Sequence, residues 1–255
     1  MADDSSNSCC PPGSLPALQE DTARSLSGVV DGKIYYSPPP DPSATTRGIV
    51  VIYDVHGFSG GRIKSVCDQL ALAGFHVAMP DVYEGTNIGA QGGFGNEPAM
   101  AWLKQQSDYA GYLKAALQPA FDYLAAKGAA AGSIGAIGFC WGAYGVVKLA
   151  CDGSIKAGVG CHPSLKIGKM FFDEDEADQV KPTKADLLFC PAGNDDALYS
   201  DGTLRADQEG VEVAHRAFPD MAHGWVPRGD AGEAAVARDV QAALKAATDF
   251  FGARL

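Results

Sequence analysis

A chain of 255 residues, 46% hydrophobic and 20% charged, is long enough to bury one sizeable α/β core. A formal charge of −11, with no Lys/Arg run of more than a few residues, argues against nucleic acid and anionic membrane surfaces as partners. No apolar stretch reaches bilayer-spanning length, and the amino end lacks a charged-then-apolar leader. The unevenly spaced Cys9, Cys10, Cys67, Cys140, Cys151, Cys161 and Cys190 fit a reduced intracellular protein better than a disulfide framework.

Residues 1–28, rich in Ser, Asp, Pro and Gly, are expected to form an extended arm ahead of a single domain over 29–255. Within the arm Cys9 and Cys10 are adjacent, with no third or fourth ligand nearby in the sequence, so no metal site is expected. Val29–Tyr36 alternates as a first strand, closed by three prolines. Gly48–Tyr53 is a continuous apolar run, as in a strand buried on both faces, and ends in Asp54-Val55-His56-Gly57-Phe58. A helix is expected over 62–73, stopped by Gly74, then a strand over 75–80 and a Gly-rich loop, 85–96, long enough to cover a site. Helical spacing returns from Pro98 to Lys127, with an interruption.

Further strands are expected at 155–161, 185–190 and 211–218, an acidic loop at 170–184, and a last helix at 231–251. Strands alternating with helices call for a mostly parallel sheet with helices on both faces, an α/β class, with chemistry at the carboxyl ends of the strands.

Between these elements, Ser133–Phe139 leads into Gly138-Phe139-Cys140-Trp141-Gly142, the pattern of a nucleophile elbow with cysteine in the place of serine. The helix after such a turn aims its N-terminal N–H groups at the thiol and favours thiolate. A cysteine nucleophile needs a base, and the base a third group to orient it. In an elbow fold the chain order is nucleophile, acid, histidine. His56 and His76 precede Cys140, His215 lies within a strand and His162 precedes any acid loop, which leaves His223. The acid is Asp195 or Asp196. Trp141 supplies one backbone N–H for an oxyanion, and Val55, after the strand at 48–53, the other. Asp54 stands at the mouth of that strand. It is either a carboxylate near the thiol, holding Cys140 protonated, or a surface group at a strand end.

These residues resemble the dienelactone hydrolase (carboxymethylenebutenolidase) family. Its markers here are Cys9-Cys10-Pro11-Pro12-Gly13, as in eukaryotic members, Asp54–Phe58, Pro80–Gly85, the Phe-Cys-Trp-Gly core and His223-Gly224-Trp225. The resemblance implies an α/β-hydrolase fold and a triad of Cys140, Asp195 and His223, with Asp195 the better match for the acid. It also implies that Asp54 modulates the thiol and that an acyl-enzyme forms at Cys140. One departure concerns the substrate. Characterised members hold its carboxylate with arginines, one just after the Pro-Asp-x-Tyr stretch, where this chain has Glu84-Gly85; Arg228 is then the surviving candidate anion contact.

The function expected is hydrolysis of a small ester or lactone, without cofactor, by a cytoplasmic monomer. Ala253-Arg254-Leu255 is similar to a peroxisomal address. The competing readings are a thioesterase or glycan-directed hydrolase on the same scaffold, and a non-catalytic thiol redox or binding module.

Overall fold

The computed structural model describes residues 8–20 and 27–255. One eight-stranded sheet carries the order β1-β2-β4-β3-β5-β6-β7-β8. Its strands are β1 (Gly28–Val30), β2 (Ile34–Ser37), β3 (Gly48–Ile52), β4 (His76–Pro80), β5 (Ile134–Phe139), β6 (Ala157–Cys161), β7 (Asp186–Cys190) and β8 (Val213–His215). β1 and β2 pair antiparallel with their neighbours, and every pairing from β4 to β8 is parallel. The central strands β3 to β6 are buried along their full length, which is why they read as unbroken apolar or small-residue runs.

The helices are α1 (Ile63–Leu72), α2 (Glu97–Ser107), α3 (Lys114–Ala126), α4 (Trp141–Asp152), α5 (Lys166–Phe172), α6 (Glu176–Val180), α7 (Trp225–Arg228) and α8 (Ala234–Gly252). α1 packs on α8, while α3 and α4 meet through the turn at Tyr109–Leu113, so two helical groups flank the sheet. Val236, Val240, Leu244, Ala247 and Phe251 of α8 are buried, the stripe that the sequence spacing marks out.

Three expected elements differ from the structure. The strand over 29–36 is a hairpin, because Asp31 and Gly32 both take positive φ and reverse the chain between β1 and β2. The acidic loop at 170–184 contains α6, capped by Asp175 accepting from Ala177 N, and is entered from α5. The strand at 211–218 shortens to three residues. Of the arm, residues 1–7 and 21–26 lie outside the described residues, and 8–20 lie on the domain.

The interruption in the long helical stretch is a π-type turn, Tyr109–Leu113, tied down from α4. Asp152 accepts from Tyr109 Oη at 2.5 Å, Lys114 Nζ at 2.7 Å and Ser154 N at 2.9 Å. Burial alone would raise this carboxyl, but these donors, joined by Ser154 Oγ, outweigh it and hold it below its ordinary value. A depressed carboxylate contributes stability above its unfolded pKa and loses it as pH falls through the folded value. Asp152→Asn is therefore expected to lower the melting temperature at neutral pH and to converge with wild type in acid. Parallel melting curves from pH 7 down to pH 3 would refute this.

The carboxyl end is folded down. Arg254 bonds Asp186 at 2.7 Å and also pairs with Glu212, and Leu255 N donates to Phe251 O. An address reading of the last three residues would require these contacts to release. Among the described residues, no helix is long and apolar enough to cross a membrane.

Candidate active site

β5 ends at Phe139, and Cys140 follows in a strained conformation, φ 53° and ψ −114°, as the residue before α4. The turn is held from the neighbouring loop, with Cys140 N donating to Cys161 O at 3.1 Å and Ser164 N donating to Cys140 O at 3.1 Å. Gly142 must be glycine, since a Cβ there would drive into the carbonyl oxygens of Ile52 and Tyr53. That close approach sets the first turn of α4 against the end of β3. The Trp141 indole is fixed by Nε1 donating to Ser107 Oγ at 2.8 Å and by packing on Tyr83.

The turn after β7 separates the two acidic candidates. Asp195 Oδ2 accepts from Ala192 N at 2.7 Å, and its Oδ1 meets His223 Nδ1 at 2.6 Å. Asp196 faces away, accepting from Leu198 N to cap the next turn. Asn194 Oδ1 accepts from His223 N at 2.7 Å, so adjacent residues of one turn orient both the backbone and the ring of the histidine. Burial opposes charge on His223, but the Asp195 carboxylate and the neighbouring Cys10 sulfur outweigh it, raising the imidazole to about 9. Its Nε2 is buried without a hydrogen-bond partner, although Cys10 is close enough to influence its charge.

The expected link from Cys140 to His223 is not formed directly in this state. The Cys140 sulfur instead meets Cys10 Sγ at 3.5 Å, Cys9 Sγ at 3.9 Å and Ser164 Oγ at 3.4 Å. Burial, Cys10 and Cys9, in that order, hold the Cys140 thiol well above its ordinary value. The arm is anchored over the site at several points. Ser164 Oγ donates to Cys9 O at 2.6 Å, Asn194 Nδ2 to Pro12 O at 3.0 Å, and Leu15 N to His223 O at 2.9 Å.

Asp54 and Arg228 meet in the folded chain. Asp54 is buried, not a surface group, and it pairs with Arg228 Nη1 while accepting from His56 N at 2.8 Å. Cys9 and Cys10, not Asp54, are the charge-sensitive groups in contact with the Cys140 sulfur. Arg228 is likewise committed within the protein. Its side chain is fully buried, paired with Asp54, and donates through Nε to Leu15 O at 3.1 Å. Gly224, at φ 93°, leaves the space that the guanidinium occupies. Each charge is the other's partner, and a separation of 174 positions in the chain hides that in the sequence.

Sequence reasoning missed Ser164 and His162. His162 stacks edge-on against His223 at 5.0 Å between ring centres, and burial holds it neutral, well below its ordinary value. Beside the site lies a cavity of about 250 Å³, lined by Cys9, Ser164, Lys166, Glu176, Asp195 and Tyr199 among others. Lys166 gives it a cation that spacing alone did not single out.

A strained elbow after a central parallel strand, with an Asp–His pair on the loops after the next strands, defines an α/β hydrolase. More narrowly, the chain belongs to the dienelactone hydrolase family, whose model matches residues 33–255. It is 26% identical over 237 residues to the hydrolase tropI of Talaromyces stipitatus, covering 89% of this chain and 88% of that protein. It is 24% identical to a carboxymethylenebutenolidase homolog of Xenopus tropicalis, over 77% and 76% of the two chains. Among solved structures, a dienelactone hydrolase-like promiscuous phosphotriesterase from metagenomic libraries superposes with a TM-score of 0.59 at 20% identity, over 95% and 99% of the chains, a likeness of fold.

Proposed function

We propose that this hydrolase cleaves small carboxylic esters or lactones through a Cys140–His223–Asp195 triad and an acyl-enzyme. The observation that carries the reading is the 2.6 Å Asp195–His223 bond, which orients the ring and leaves Nε2 without a hydrogen-bond partner. In the working state Cys10 withdraws and Cys140 passes its proton to His223 Nε2. The thiolate then adds to the substrate carbonyl, and the backbone N–H groups of Val55 and Trp141 receive the oxyanion. Collapse breaks the C–O bond, and the proton on His223 goes to the departing alcohol. Water, deprotonated by the same imidazole, then releases the acid and restores the thiol. The cavity beside Cys9 adjoins the site through Ser164 and Asp195, and Lys166 in its wall is a candidate contact for a substrate anion.

The mechanism is tested by mixing the protein with an activated aryl ester, quenching in acid within the first turnover and mapping peptides by mass spectrometry. An acyl increment on the Cys140 peptide, with a matching burst of phenol, is expected. A burst with the increment on another residue sinks the assignment. A panel of enol lactones, aryl esters, acyl-thioesters and β-glucans then ranks the substrate classes.

A further inference from the structure

Three sulfurs meet at the elbow. Cys9 and Cys10 Sγ lie 3.7 Å apart, Cys9 and Cys140 3.9 Å, and Cys10 and Cys140 3.5 Å, and all three are free and buried. Thiolates held about 2.3 Å from a tetrahedral zinc ion are spaced about 3.8 Å from one another. An ion about 2.3 Å from each of these sulfurs would stand roughly 0.8 Å out of their plane, as in a regular tetrahedron. The triangle thus has the size of a three-thiolate zinc face before any ligand moves. Adjacent Cys9 and Cys10 lack a third ligand in the sequence; the fold supplies it from the elbow, 130 residues on.

A second observation points to the same place. His223 Nε2 is fully buried without a hydrogen-bond partner beside Cys10, while Asp195 holds Nδ1 from behind. Nε2 falls outside the group of ligand atoms that lie within 4.8 Å of one another, so the three sulfurs form the ligand set and the fourth position is left to solvent.

We propose that Cys9, Cys10 and Cys140 form a binding site for one thiophilic divalent cation of the zinc class. Binding displaces the thiol protons to solvent, so it tightens as pH rises. With the ion in place, the Cys140 lone pairs and the arm are both engaged, and hydrolysis stops. That consequence rests on the nucleophile reading of Cys140; the binding site does not.

The test uses the full chain, reduced and stripped with chelator, and Co²⁺ as the probe. One equivalent is expected to give a thiolate-to-cobalt charge-transfer band that Zn²⁺ bleaches by displacement. In the double variant Cys9→Ser/Cys10→Ser, shown folded by circular dichroism, the apparent affinity should fall by at least 100-fold, while Cys151→Ser keeps it. Absence of the band in wild type, or its survival in the double variant, overturns the site. Cobalt binding together with an ester hydrolase activity untouched by Cys140→Ala would leave the site standing and overturn the catalytic reading alone.

Discussion

Cys140→Ala is expected to reduce hydrolysis of a small aryl ester by roughly 10⁴-fold or more while the fold persists. The size of the loss follows from the covalent route. Without sulfur no acyl-enzyme forms, and the Asp195–His223 pair and oxyanion donors can only assist direct attack by water. The substitution removes one buried sulfur from a well-packed turn, so only a modest melting shift should accompany it. Cys140→Ser offers the more discriminating comparison. A serine hydroxyl is far less acidic than a thiol and leans harder on the His223 base, so only partial activity is expected. Steady-state rates of the three proteins, with circular dichroism as the fold control, decide the matter. An alanine variant within tenfold of wild type would place the chemistry elsewhere.

The largest stability effect is expected at Arg228. Removing one partner of a buried ion pair leaves the other charge without compensation, at a cost of about 3–5 kcal/mol. Asp54 and Arg228 are both almost wholly shielded from water, and the same guanidinium holds Leu15 of the arm. Arg228→Met should therefore lower the melting temperature by on the order of 10 °C for a chain of this size. Asp54→Leu should do much the same. The double variant Asp54→Leu/Arg228→Met should recover a good part of the loss, because two apolar side chains replace two mutually compensating charges. Additive losses in the double variant would mean that the two residues act independently. If Arg228 instead served an incoming anionic substrate, Arg228→Met would raise KM and leave the melting curve in place.

The fold was legible because its signals are local. β3 and β5 announce themselves as unbroken apolar runs, α8 by its stripe, and the elbow by glycines at fixed offsets from Cys140. The Asp195–His223 pairing was legible through chain order, and the structure adds the reason that Asp196 is excluded: its carboxylate caps the next turn. What spacing could not reveal was charge already spent. Asp54 and Arg228 each look available until the fold brings them together. The arm was expected as extended backbone, and its described residues 8–20 lie on the domain. Pro11, Pro12 and Gly13 signal irregular backbone, but irregular backbone packs well when its carbonyls meet donors such as Ser164 Oγ and Asn194 Nδ2.

The anchoring of the arm also has a consequence in time. Cys9 and Cys10 leave the ribosome well before Cys140, Asn194, His223 and Arg228, on which the arm rests. At about 5–20 residues per second, the interval from Cys10 to Arg228 is roughly 10–45 s. For that interval two adjacent thiols belong to a segment with no docking surface, open to oxidants and to any soft cation in the cell. The seat of the arm is completed late, so Cys9 and Cys10 are made well before they can find their place.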